Sequence, residues 1–310
     1  MTEAQHDVVV IGGGPAGVNA ALECVDMKLD TVLLEARAVL GGQLTEISHS
    51  VRNVATDWYA DGSTLQVGLQ RSAEVLGSRV LLAHPVTTAG VADGWVEGAG
   101  RRFRGRVLLI ASGSGPQRLA AAADGAFGGD VTYQLSGSTE RFAGKPVVVV
   151  GGGDSATLDA LELATTASSV MLVHRAEQLT ARRDIVTQVR AEPRIEEFPG
   201  WEVESVQGGV RADRMEAVSL VHSTSGQHQQ VAAAGLVVKI SRVPGTEVFR
   251  GQLELDHRGF VVVDGESRTS QAGVFAAGDV VAGSYWRVAY ALGEGIGAAR
   301  SILRYLETPP

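Results

Sequence analysis

The sequence is poor in cysteine: Cys24 is the only one among 310 residues. A disulfide within the chain and a redox pair of two cysteines are both excluded, which favours the cytoplasm as its location. The chain also lacks an excess of positive charge, with a formal net charge of −8. Because nucleic-acid backbones are polyanions, this charge argues against a nucleic-acid partner. No apolar run is long enough to span a bilayer and Met1–Asp7 is polar, so we expect neither a membrane segment nor a signal peptide.

Glycine, in contrast, is abundant, with 39 residues. This content suits a chain whose loops lie close against ligands. The length is that of about two domains, each able to bury a core of its own.

A run of valines ends at a glycine-rich turn in the stretch Asp7–Ala21. The valines predict a buried parallel strand, and the alanine-rich stretch after the turn predicts a helix. In such a unit Gly12 permits a tight turn, Gly14 lets the backbone approach a pyrophosphate, and Gly17 lets the helix lie close to the strand. The next predicted strand ends in Glu35, whose carboxylate can accept hydrogen bonds from ribose hydroxyls. The stretch therefore predicts a dinucleotide site.

The same pattern returns in the middle of the chain, where the valines of Pro146–Val150 precede GGGDSA at Gly151–Ala156. Glu35 and His174 stand at the same offset, 23 positions after the first glycine of their respective turns. A carboxylate at this position selects free ribose hydroxyls, as in FAD, whereas the cationic pair of His174 and Arg175 accepts a 2′-phosphate, as in NADPH. Two such sites predict a protein that passes electrons between two nucleotides.

Six motifs stand together in this order along the chain: GGGPAG at Gly12–Gly17, GGQL at Gly41–Leu44, KPVVVVGGGDSA at Lys145–Ala156, VHR at Val173–Arg175, GQLELD at Gly251–Asp256 and GVFAAGDV at Gly273–Val280. With them the sequence resembles the low-molecular-weight thioredoxin reductase family nearly from end to end. The resemblance implies an α/β fold of two Rossmann-like, three-layer ββα nucleotide-binding domains, the second inserted into the first. An FAD domain would comprise residues 1–113 and 247–310, and an NAD(P)H domain residues 114–246. The resemblance also implies a homodimer.

Site residues follow from the same resemblance. For FAD it implies Gly12, Gly14, Pro15, Ala16, Gly17, Glu35, Gly41, Gly42, Gln43, Leu44, Asn53, Val86, Ala111, Gly113, Gly278, Asp279, Arg287, Val288 and Ala289. For the nicotinamide nucleotide it implies Gly152, Gly153, Asp154, Ser155, His174 and Arg175. Asp279 would bind the ribityl chain. His49, Arg52 and Arg287 are the candidates for a part in the chemistry, since the first two follow the GGQL loop and the third would lie near the flavin ring.

The sequence departs from the family at its redox centre. The family places a CxxC dithiol just before the second glycine turn, whereas Val131–Ser138 reads VTYQLSGS, with Gln134 and Gly137 at the two cysteine positions. A flavin without a dithiol cannot pass electrons to a protein disulfide by thiol exchange. On this ground the sequence predicts that the chain is not a thioredoxin reductase.

A second departure weakens the family's phosphate clamp, HRRxxxR. Ala176 and Thr180 replace two of its arginines, and Arg175 remains. Arg182 and Arg183 lie close by and are candidates for a replacement clamp. The sequence therefore leaves open whether the nucleotide is NADPH or NADH.

A third departure is KISR at Lys239–Arg242, where Ser241 replaces the glycine of a turn that lines the nicotinamide pocket in the family.

We expect an FAD-dependent oxidoreductase that passes electrons between NAD(P)H and a small molecule or carrier protein directly through the flavin. The alternative is a flavin oxidase or dehydrogenase that acts without NAD(P)H on its own organic substrate, for which a biosynthetic, carrier-bound compound is one candidate. A third possibility is a flavin-binding interaction protein. No His, Cys and Asp cluster has the spacing of metal ligands, so we expect no metal.

Overall fold

The chain forms two compact units in the computed structural model, which describes residues 4–121, 126–135, 139–208 and 213–308. The first, called the split unit here, comprises Met1–Gly115 and Val243–Pro310, and the second, the inserted unit, comprises Pro116–Arg242. The described helices are α1 (Pro15–Asp26), α2 (Gly62–Ala73), α3 (Asp154–Ala164), α4 (Arg183–Ala191) and α5 (Val288–Glu307). The described strands are β1 (Ala4–Ile11), β2 (Thr31–Leu34), β3 (Val80–Leu81), β4 (Val86–Gly90), β5 (Trp95–Gly98), β6 (Arg101–Ile110), β7 (Ser114–Pro116), β8 (Val131–Thr132), β9 (Pro146–Val150), β10 (Ser169–His174), β11 (Ile195–Pro199), β12 (Trp201–Gly208), β13 (Met215–His222), β14 (His228–Ala232), β15 (Leu236–Val238), β16 (Arg242–Pro244) and β17 (Val274–Ala276).

In the split unit a sheet of order β3-β2-β1-β6-β5-β4 carries β17 beside β6. Strand β1 pairs in parallel with β2 and β6, while β4, β5 and β6 form antiparallel pairs. Because side chains alternate along a strand, β1 supplies two cores. Val8 and Val10 pack in a cluster with residues of α1 and α5, and Val9 packs in another with Val96 and Phe103 of the antiparallel hairpin. The sheet is thus covered on both faces.

Helix α1 lies close to its neighbours because small residues stand at its contacts. Pro15 opens the helix, where a missing N–H costs nothing. A Cβ on Gly17 would come 1.9 Å from Gly12 O, and one on Gly295 of α5 would come 2.3 Å from Ala16 O. The two helices therefore pack nearly backbone to backbone, and α1 is fixed beside the carboxyl end of β1.

The inserted unit repeats this plan. Its parallel sheet has the order β11-β10-β9-β15-β8, beside an antiparallel sheet of order β12-β13-β14. Val147 and Val149 of β9 pack with α3, whereas Val148 and Val150 pack with Val218 and its neighbours on β13. The predicted α/β class with two Rossmann-like units is confirmed.

The sequence predicts an amphipathic helix over Thr64–Leu76. The structure has a helix there, but both of its ends differ from the prediction. It begins at Gly62 and is capped by Asp61, whose carboxylate accepts from Thr64 N at 2.7 Å. It ends at Ala73 and continues as a short 3₁₀ segment with Gly77 at φ 52°. This left-handed glycine breaks the helical path.

Two predicted strands are also corrected. The sequence predicts a strand over Arg79–Ala83, after the helix. The strand observed is only β3, because Ala83 has φ 55° and leaves the extended region. The sequence also predicts a short buried strand over Gly259–Val263. This segment instead forms isolated bridges from Val261 to Leu255 and Val281. Within the described ranges, no helix is long and apolar enough to cross a membrane.

Candidate functional site

The glycine turn of the split unit has the backbone of a dinucleotide cradle. Gly12 adopts φ 110°, and a Cβ there would come 2.3 Å from Ala111 O. Gly14 caps α1 with an ordinary φ of −76°, yet a Cβ on it would meet nothing within 4 Å. The start of α1 thus faces open space at the residue predicted to approach a pyrophosphate, and the N–H groups there suit an anion.

Glu35 is buried at the carboxyl end of β2 and held by the backbone. Its Oε2 accepts from Gly13 N at 2.6 Å and its Oε1 from Arg37 N at 2.7 Å. Each oxygen keeps a further lone pair, so the carboxylate can also accept from ribose hydroxyls. His84 N donates to Glu35 O at 2.8 Å, which brings the segment leading to Val86 beside this position.

The GGQL loop joins the cradle to residues from the far end of the chain. Gly41 N donates to Gly13 O at 2.8 Å, and a Cβ on Gly42 would come 3.2 Å from Gly14 Cα. Gln43 Nε2 donates to Asp279 Oδ2 at 3.2 Å, across 236 positions of sequence. The structure therefore brings the predicted FAD residues of both chain segments to one edge of the sheet.

Glu294 of α5 is a part of this site that the sequence reasoning missed. Gly278 N donates to its Oε2 at 2.9 Å, and the Tyr290 hydroxyl hydrogen bonds to its carboxylate. Burial raises the pKa of Glu294 to about 7; the charge of Asp279 adds to the rise, and the two hydrogen bonds oppose it. The signal was the four-residue spacing of Tyr290 and Glu294, which puts both on one helix face.

Glu294→Gln should flatten the pH dependence of stability in the acid-to-neutral range. The folded protein, with a Glu294 pKa of about 7, holds this proton more tightly than an unfolded chain with the ordinary value of 4.5. The free energy of unfolding therefore falls as the pH rises through that window, and glutamine removes this loss. Thermal melts of both proteins at about pH 5 and about pH 8 test it, and parallel shifts would contradict it.

The candidates for a part in the chemistry lie at the surface. Arg287 caps α5 and its Nη1 donates to Trp286 O at 3.4 Å, where Trp286 has a left-handed φ of 52°. His49, Arg52 and Asn53 are exposed on the segment between the GGQL loop and α2. Val288 and Ala289 open α5 directly after Arg287. The roles of these residues stay predictions.

In the inserted unit the second glycine turn faces a buried histidine. Gly151 adopts φ 137°, and a Cβ on Gly152 would come 3.3 Å from His174 Cβ. His174 is 3% exposed, and within the described residues neither ring nitrogen has a hydrogen-bond partner. The closest acid is Glu197, with Oε1 3.9 Å from Nε2. An unsatisfied buried imidazole at the Glu35-equivalent position is suited to a ligand that completes its hydrogen bonds.

One of the two arginines of the candidate replacement clamp, Arg182, is already engaged within the protein. Arg182 N donates to Asp154 Oδ1 at 2.9 Å, and its Nε lies 3.4 Å from Asp154 Oδ2. Thr180 N donates to Gly152 O at 2.8 Å, so the loop folds back over Gly152. Arg175 and Arg183 are exposed.

Because Arg175 is the clamp arginine left at its family position, we expect only a weak preference for NADPH over NADH, ~10-fold or ~1.4 kcal/mol. Arg175→Ala should abolish the preference and leave NADH kinetics nearly unchanged, since NADH lacks the phosphate. Flavin-reduction rates with both nucleotides measure this. A preference that survives in Arg175→Ala and disappears in the double Arg182→Ala/Arg183→Ala variant would assign the clamp to those two arginines.

The family's dithiol position carries no sulfur. Gln134 is exposed just after β8, and its N–H donates to Thr132 Oγ1 at 3.1 Å. Gly137 lies outside the described residues.

Cys24 is buried in α1, and burial together with Glu23 raises the pKa of its thiol to about 12, which keeps it from acting as a nucleophile. In the described part of the chain, no group of three His, Cys, Asp or Glu side chains could hold a metal ion.

Two strand–glycine–helix units, one with a carboxylate and one with a histidine at the ribose position, define a flavin- and nicotinamide-dependent oxidoreductase. The chain belongs to the family described as pyridine nucleotide-disulphide oxidoreductase, which matches residues 6–295. A thioredoxin reductase of Streptomyces clavuligerus is 32% identical over 97% of this chain and 94% of its own length. One of Peptoclostridium acidaminophilum is 28% identical over 98% of both chains. The solved thioredoxin reductase of Lactococcus lactis superposes with a TM-score of 0.89 at 26% identity, covering 97% of this chain and 99% of that one.

These comparisons confirm an FAD-dependent oxidoreductase that resembles thioredoxin reductases, with FAD and a nicotinamide nucleotide as cofactors. They also correct one prediction. The statement that the chain is not a thioredoxin reductase is wrong, because relatives over nearly the whole length and solved neighbours carry that name. The single cysteine makes this chain an unusual member of that group.

Proposed function

We propose that the chain is a reductase of the thioredoxin reductase type, which takes electrons from NAD(P)H through FAD and delivers them to a disulfide of a protein partner such as thioredoxin. The observation that carries the electron-donor half of the proposal is the pair of glycine turns with different side chains at the ribose position, Glu35 in the split unit and His174 in the inserted unit. The names of the relatives support the disulfide acceptor. Because Cys24 is the only cysteine, both sulfurs that change oxidation state belong to the acceptor.

The chemistry that bound FAD would supply is two-electron transfer from the nicotinamide to the acceptor. The chain's own residues place the groups for this. Glu35 holds ribose hydroxyls, the N–H groups at the start of α1 hold the pyrophosphate, and Asp279, oriented by Gln43, holds the ribityl chain. His174 and Arg175 hold the adenosine end of the nicotinamide nucleotide.

An anaerobic titration tests the first half of this function. The FAD-loaded protein is mixed with NADPH and, separately, with NADH, and the flavin absorbance is followed. We expect bleaching by both, since the clamp gives little discrimination. If neither nucleotide at millimolar concentration bleaches a flavin that dithionite does bleach, the proposal is wrong.

The second half is tested with a disulfide-containing protein. NADPH oxidation is followed with oxidised thioredoxin, and thiols are counted at the end. Two new thiols per NADPH consumed support the proposal. Flavin reduction without new thiols would reject a disulfide acceptor and favour a small molecule or another carrier protein.

A homodimer and a cytoplasmic location stay predictions. Sedimentation of the FAD-loaded protein tests the homodimer.

A further inference from the structure

A lysine stands at the edge of the nucleotide crevice of the inserted unit. Strand β15 pairs in parallel with β9, with Val238 opposite Val150, so both strands end at the same edge of the sheet. The next residue, Lys239, donates its N–H to Val150 O at 2.7 Å. A Cβ on Gly151 would come only 2.3 Å from the carbonyl oxygen of Lys239. Lys239 is therefore the immediate neighbour of the second glycine turn.

This neighbour lies where the order of the sheet reverses. From β9 the chain proceeds through α3 to β10 and then β11 on one side, whereas β15 and β8 lie on the other side. In open parallel sheets, ligands bind in the crevice at the carboxyl ends of the two strands that flank such a switch point. The residues after β9 and β15 frame that crevice.

The side chain of Lys239 turns inward to an acid. Its Nζ lies 3.2 Å from Asp159 Oδ2 on α3, and the two side chains are 15% and 5% exposed. Burial raises the pKa of Asp159 to about 6, against the opposing effect of Lys239. The ion pair thus connects the turn after β15 to the second turn of the helix that begins at the glycine turn.

A buried ion pair adds little to the stability of the folded protein, so stability alone does not explain this one. Taking two charges out of water costs about as much as their attraction returns, and apolar residues of similar volume often serve as well or better. This buried pair instead links one turn of the binding crevice to the helix that begins at the other turn, and so fixes the geometry of the crevice.

We propose that Lys239 and Asp159 are positioning residues for the nicotinamide nucleotide: their ion pair holds the turn after β15 against the glycine turn, and so sets the affinity for the nucleotide. The inference rests on the proposed function, since it assigns this crevice to NAD(P)H. Without the pair, only the backbone pairing of β15 with β9 holds the turn after β15 beside the glycine turn, and nucleotide binding must order the rest of this turn first.

The test compares the double variant Lys239→Met/Asp159→Leu with the wild type, both loaded with FAD. The double variant replaces the pair by apolar side chains, so we expect an unchanged melting temperature and FAD content. We expect its dissociation constant for NADPH, measured by the fluorescence of the bound nucleotide, to rise about tenfold. Lys145→Met is the matched control, since Lys145 lies in the same unit just before the opposite end of β9, and it should bind as the wild type does.

A stable double variant with wild-type affinity would overturn the inference. Should the double variant fold poorly, the affinity of Lys239→Met is measured instead, because Asp159 can then take up a proton and stay uncharged. Wild-type affinity in that folded variant would also overturn the inference. A tenfold loss that Lys145→Met shares would also reject a specific role. A wild-type protein that binds neither NADPH nor NADH would remove the proposed function itself and this role with it.

Discussion

Gly14→Ala should release FAD from a protein that stays folded. The backbone of Gly14, at φ −76° and ψ −177°, is open to alanine, and a Cβ there meets nothing within 4 Å. The fold therefore accepts the methyl group. If this space belongs to the pyrophosphate, the methyl group excludes it, and we expect FAD affinity to fall by about a hundredfold, ~2.7 kcal/mol. Flavin content after gel filtration and the melting temperature of the apoprotein measure the two effects separately.

Two other glycines provide the controls for this experiment. Gly68 of α2 is exposed and also has nothing within 4 Å, so Gly68→Ala should keep FAD and gain up to ~1 kcal/mol of stability. Gly17→Ala should instead destabilise the apoprotein, because its Cβ would come 1.9 Å from Gly12 O. Full FAD retention by Gly14→Ala would show that the cradle is not the pyrophosphate site.

The cradle was predictable because its parts are local in sequence. A valine run, a glycine turn and a helix follow one another, and parallel pairing brings Glu35 to the same edge as Gly13. The alternation of Val8 and Val9 between two cores follows from strand geometry in the same way. Such features depend on periodicity and on backbone conformation, which the sequence displays directly.

The pairs that were missed depend on contacts between distant segments. Glu294 meets Gly278 through the packing of α5 beside α1, and Lys239 meets Asp159 across 80 positions. No sequence motif marks either pair. A carboxylate on a helix is ordinarily solvated, so the sequence gives no reason to expect a distant partner for it. The strand expected over Gly259–Val263 failed for a related reason: tertiary bridges, rather than a regular ladder, satisfy its backbone.

The missing CxxC motif does exclude a redox pair within the chain. The further conclusion, that the chain is not a thioredoxin reductase, was too broad. One cysteine excludes an internal redox pair, which is a statement about mechanism. Membership of the thioredoxin reductase group depends instead on the whole chain, and 32% identity over 97% of its length carries that. The absence of CxxC therefore excludes a dithiol relay within this chain and leaves its family unchanged.

Asp279→Ala should weaken FAD binding while leaving the glycine cradle intact. Asp279 follows β17 at the edge where Gly12 and Glu35 lie, and Gln43 Nε2 donates to its Oδ2 at 3.2 Å. That contact fixes the carboxylate and leaves lone pairs for the ribityl hydroxyls. The loss of a hydrogen bond to a charged group costs ~1.5–3 kcal/mol, which corresponds to about a 10- to 150-fold loss of affinity.

Asp279→Asn separates the charge from the shape of this side chain. The amide oxygen can still accept one hydrogen bond, so the asparagine variant should retain more FAD than the alanine variant and less than the wild type. Gln43→Ala should resemble Asp279→Asn, because it removes the donor that orients Asp279 and leaves the carboxylate in place. Titration of the three apoproteins with FAD, followed by quenching of flavin fluorescence, gives the order. Wild-type affinity in Asp279→Ala would remove Asp279 from the flavin site, and equal losses in Asp279→Asn and Asp279→Ala would mean that the charge, rather than the hydrogen bond alone, holds the ribityl chain.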